Sequence, residues 1–61
     1  MLITQFITTE VALQKSPFVM QRSIEAELQK HGEPLRWAIT EVNTAEQKAI
    51  VEAIVTRKAE G

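Results

Sequence analysis

The 61-residue chain has no cysteine, no aspartate and no tyrosine, and it carries one histidine, one tryptophan, two glycines and two prolines. Without cysteine there is no disulfide framework, no thiolate zinc site and no cysteine nucleophile, which suits a reducing, cytoplasmic setting. His31 alone gives no cluster of metal ligands. Glu25 and Glu27 do not supply one either, because residues two apart on a helix point to different sides. Glycine only at positions 32 and 61 rules out a glycine-rich phosphate loop. Ser16 and Ser23 have no evident base beside them, and His31 reads as a helix-end residue. The sequence therefore offers no catalytic residue, cofactor site or metal site, and a non-enzymatic role is expected.

Long apolar runs are also missing. No stretch approaches the roughly 20 residues that span a bilayer. The opening Met1–Phe6 segment lacks both the basic region and the apolar region of a signal peptide. Nor is there an excess of charge of one sign: seven Lys and Arg face eight Glu, for a net charge of −1. A pI near 5.7 argues against a phosphate-backbone binder and against a polybasic membrane segment.

What remains is an ordinary globular composition, 44% hydrophobic and 25% charged, read as one small domain over residues 1–61. A chain this short buries a smaller share of its surface on folding than a larger domain does. Self-association or contact with another protein is the expected way to bury more.

Four segments can be read along the chain. Leu2 to Leu13 contains Thr4, Thr8 and Thr9 among β-branched and aromatic residues, which predicts a strand in its first half. Alternation places Ile3, Ile7, Val11 and Leu13 on one face, with Leu2 and Phe6 on the other. Whether Glu10 to Lys15 continues this strand is open. Ser16-Pro17 reads as an N-cap followed by proline in the first turn. The spacing of Met20, Ile24 and Leu28 then predicts a helix over about 17–31, with Phe18 and Val19 also in the core. Lys30 and His31 suit its C-terminal end, Gly32 suits a left-handed cap, and Pro34 blocks continuation.

Leu35 to Val42 alternates as a strand, with Leu35, Trp37 and Ile39 on its core face. The last segment is ambiguous. Thr44 and Gln47 match a capping box and would start a helix through Lys58. The β-branched cluster Ile50, Val51, Ile54, Val55 and Thr56 instead favours a strand, with residues 43–48 as a hairpin loop.

The favoured fold is α+β, a β-α-β-β domain with one helix on one face of a three-stranded sheet; the alternative is β-α-β-α. Hairpin pairing would put Trp37 and Ile39 with Val51, Ala53 and Val55. The other face would bring Arg36, Ala38 and Thr40 beside Ile50, Glu52 and Ile54, with Glu52 near Arg36 or Glu41. Nothing else in the chain covers that face, so these six residues are the candidate interaction surface, in a homodimer or with another protein. A ribbon-helix-helix order, one strand and two helices, also suits the length and would imply a nucleic-acid regulator. It is disfavoured because Leu2 to Thr9 has no Lys or Arg to meet bases or phosphates. The tail from Lys58 to Gly61 is expected to fray.

Overall fold

The computed structural model describes residues 1–59, in the order β1 (Leu2–Ala12), α1 (Pro17–Gln29), β2 (Glu33–Asn43) and β3 (Lys48–Lys58). This is the β-α-β-β arrangement. The last segment is a strand, and the described residues contain three strands and a single helix, which removes both the β-α-β-α alternative and the ribbon-helix-helix order. The sheet order is β1-β3-β2, with β3 antiparallel to both neighbours. β1 and β2 therefore run parallel, joined through α1, with the last strand inserted between them.

That insertion explains the pattern of β3. A central strand under a helix must be apolar at every second position, and Ala49, Val51, Ala53 and Val55 are all buried. They meet Met20, Ile24 and Leu28, which fall one turn apart on the inner side of α1. Val11 completes the buried cluster, with Ile7, Leu13 and Trp37 packed at its margin. The first strand continues to Ala12, so Glu10 belongs to it.

Local signals set the element ends. Ser16 Oγ accepts from the Val19 amide at 3.4 Å, and Pro17 opens the helix. The helix stops at Gln29 with Lys30 as its C-cap, two residues short of the expected end. Gly32 does not form a left-handed cap: its φ is 157°, far from the roughly +57° of that conformation. A close approach accounts for the glycine, since a Cβ there would stand 2.5 Å from the Thr56 carbonyl oxygen.

Thr44 and Gln47 close the β2–β3 hairpin and start no helix. Asn43 Oδ1 accepts from the Glu46 amide at 3.0 Å, and Gln47 Nε2 donates to the Thr44 carbonyl at 2.7 Å. Gln47 takes the left-handed conformation, with φ 57°, that turns the chain into β3. Ala59 donates to the Met1 carbonyl at 2.9 Å, and Lys58 pairs with Leu2, so the fraying expected at 58 and 59 does not occur. Residues 60 and 61 lie outside the described residues.

Two expectations about the core fail. Phe18 and Val19 are exposed, Phe18 by 68%, because α1 turns them away from the sheet; Arg22 lies over the Phe18 ring at 5.9 Å. In β2, register shifts on either side of Leu35 and of Thr40 interrupt the alternation. Leu35 is consequently exposed; Ile39 keeps the expected side, opposite Val51, but stays exposed there, and Trp37 alone of the three packs against the core.

Candidate interaction surface

Strand alternation sends the even residues of β1 and β3 to the face opposite α1. Three cross-strand rows organise that face. Phe6 pairs with Ile54, which pairs with Arg36; Thr8 pairs with Glu52, which pairs with Ala38; Glu10 pairs with Ile50, which pairs with Glu41. Of the six residues singled out from the sequence, Arg36, Ala38, Ile50, Glu52 and Ile54 occupy these rows. Thr40 sits at the second bulge, and its Oγ1 approaches the Ile50 carbonyl at 3.5 Å.

The face alternates apolar and charged side chains along its central strand, where Ile54 and Ile50 flank Glu52, with Phe6 beside Ile54. Ile50 and Ile54 are half-buried by their own sheet, while no helix among the described residues lies over them. A shallow depression of about 210 Å³ is lined by Phe6, Arg36, Ala38, Thr40, Glu52 and Ile54, along with Trp37 and Ala53. Five of the six sequence-derived residues thus share one concavity, and Ile50 occupies the adjoining row.

Phe6 is the member that sequence reasoning left out. Its alternation with Ile7 placed it on the outer face of β1, but only the insertion of β3 beside β1 brings it next to Ile54. It is 63% exposed, a large aromatic surface left in water.

The charges of this face make no ion pair among the described residues. Arg36 stands opposite Ile54 and makes no ion pair with Glu52, and Glu41 stands opposite Ile50, away from Glu52. Among the described residues the one ion pair is Lys30 with Glu27, 3.0 Å apart on the helix. That pair borders a separate depression of about 370 Å³ between β1 and α1, which Glu10 and Ser23 also line. There Glu27 is answered by Lys30, whereas Arg36, Glu41 and Glu52 have no such partner among the described residues.

No helix among the described residues is long and apolar enough to cross a membrane. No curated protein and no solved structure matches the chain. A family model described as Domain of unknown function (DUF8621) matches residues 5–57, a span that touches all four elements, and the chain belongs to that family.

Proposed function

We propose that this chain is a non-enzymatic interaction module of the cytoplasm, which binds another protein through the sheet face opposite α1. The observation that carries the reading is the row Phe6–Ile54–Arg36: an exposed aromatic, a half-buried aliphatic and a guanidinium without an ion pair among the described residues, set side by side on a sheet surface. Protein contacts favour such a composition, in which aromatic residues and arginine supply the anchors and charged residues form the rim. Ala38 and Thr40 are small and leave the depression open, and Glu52 supplies an acceptor beside it. Exposed apolar patches bordered by polar residues, as Phe6 and Ile54 are by Arg36 and Glu52, mark association sites.

The experiment is affinity isolation of the tagged chain from its own cells, with wild type and Ile54→Glu in parallel. The reading expects proteins held by wild type and released by the variant, while the variant keeps its circular dichroism. Identical sets of retained proteins would contradict it.

A further inference from the structure

The two edges of the sheet differ in how they are guarded. β2 carries the devices that discourage pairing with another strand: Pro34 near its start, charges at Glu33, Arg36 and Glu41, and register shifts at Leu35 and Thr40. β1 has almost none of these. It pairs with β3 through all of Leu2–Ala12 without a register shift and contains no proline, glycine, lysine or arginine. Its one charge is Glu10, near the end. The outer side of β1 has no neighbouring strand among the described residues, so its outward N–H and C=O groups form a straight pairing edge with that single charge.

We propose that the occupant of this edge is a second copy of the chain, paired antiparallel through β1 about a two-fold axis at Ile7, fusing two three-stranded sheets into one of six. Paired residues in an antiparallel sheet face the same side, so a two-fold pairing must match residues of like parity. Centring on Ile7 does this and uses every residue of β1, with Leu2 opposite the partner's Ala12.

The sequence of β1 is self-complementary in that register. Ile3, Ile7 and Val11 are evenly spaced about the axis. On the helix side Ile3 meets the partner's Val11, and Ile7 meets the partner's Ile7. Branched aliphatic pairs of this kind stabilise antiparallel strands. Within one chain Trp37, Ala53 and Ile7 already form a cross-strand row, which the partner subunit's Ile7 would extend across the axis. On the other side the two Phe6 rings become diagonal neighbours, roughly 7–8 Å apart and within reach of aromatic contact.

Charge agrees with the register. Glu10 meets the partner's Thr4, a neutral residue. The two Glu10 carboxylates lie six residues apart along the ribbon, about 20 Å, beyond the roughly 8–10 Å over which charges act in physiological salt. The axis lies in the edge, so the outer face with Ile54 remains open for the protein proposed above.

The test is light-scattering mass on the untagged chain, with Ile7→Lys, Ile7→Cys, Val42→Cys and Ile54→Glu alongside. Wild type is expected at twice its 6.9 kDa chain mass. Ile7→Lys places two ammonium groups opposite each other, about 5 Å apart at the backbone, and is expected to halve that mass. Its stem can lie along the core margin with the charge in solvent, and circular dichroism checks that it folds. Ile7→Cys is the second measure, because the chain has no other cysteine. With oxidised glutathione it should form a covalent dimer, which Val42→Cys on the guarded β2 edge should not.

A wild-type monomer at millimolar concentration would overturn the inference, as would a folded Ile7→Lys dimer or equal cross-linking of the two cysteines. If Ile54→Glu separates the copies and Ile7→Lys does not, the copies meet face to face: the edge pairing fails and the outer face stands as a contact surface. If Ile7→Lys separates them while Ile54→Glu keeps both the dimer and every retained protein, the edge pairing holds and the reading of the face fails.

Discussion

Phe6 and Ile54 stand directly opposite each other on β1 and β3, on the side of the sheet that α1 leaves bare. Neighbouring residues in the same strands do the reverse. Ile7 packs at the core margin, and Val55 is fully buried beneath the helix. One residue of displacement along a strand separates folding from surface chemistry here, as the period of two requires. That separation makes the two roles testable by different substitutions.

Ile54→Glu and Ile50→Glu are expected to leave the fold in place. Both side chains lie on the open face, where a glutamate can reach water, so each variant should lose at most about 1 kcal/mol of stability. Val55→Glu, one residue away from Ile54, places a carboxylate among Ile24, Leu28 and Val51 and should abolish the cooperative transition. Urea unfolding of the three variants checks the contrast. Equal losses at positions 54 and 55 would contradict the assignment of faces.

Leu28→Ala should cost about 2–5 kcal/mol, the range for a fully buried leucine whose cavity does not collapse. Few other large side chains share the core, so this one deletion takes up much of the stability of so small a domain. A shift of the urea midpoint by under a tenth would show that α1 does not close the core.

Gly32→Ala should destabilise by about 1–3 kcal/mol, because the new methyl meets the Thr56 carbonyl and β2 must move to admit it. Thermal unfolding reads the effect. An unchanged midpoint would mean that the turn into β2 does not lie against β3.

Much of this architecture was legible because the local signals agreed. Ser16-Pro17 fixed the start of α1, the four-residue spacing of Met20, Ile24 and Leu28 fixed its buried side, and alternation in residues 49–55 fixed the inner side of β3. Trp37 fell on the core side as its pattern indicated. Thr44 and Gln47 were misleading, because the Gln47 side-chain amide donates to the Thr44 carbonyl within a tight loop and caps no helix end. The bulge at Leu35 carries no glycine signature, so its exposure was hidden, and Ile39 faces the helix side, opposite Val51, without packing against the core. Phe6 was missed for a topological reason. Alternation assigns a face within a strand, but the β1-β3-β2 order that sets Phe6 beside Ile54 depends on long-range pairing.

The central claim, that the face opposite α1 is the contact surface, is tested most directly by photo-cross-linking in the native cell. A photoreactive phenylalanine analogue would replace Ala38 on that face or, in a second strain, Gln21 on the exposed side of α1. The account predicts discrete protein adducts from position 38 and none from position 21. Adducts from position 21 with none from position 38 would place the contact on the helix and contradict it.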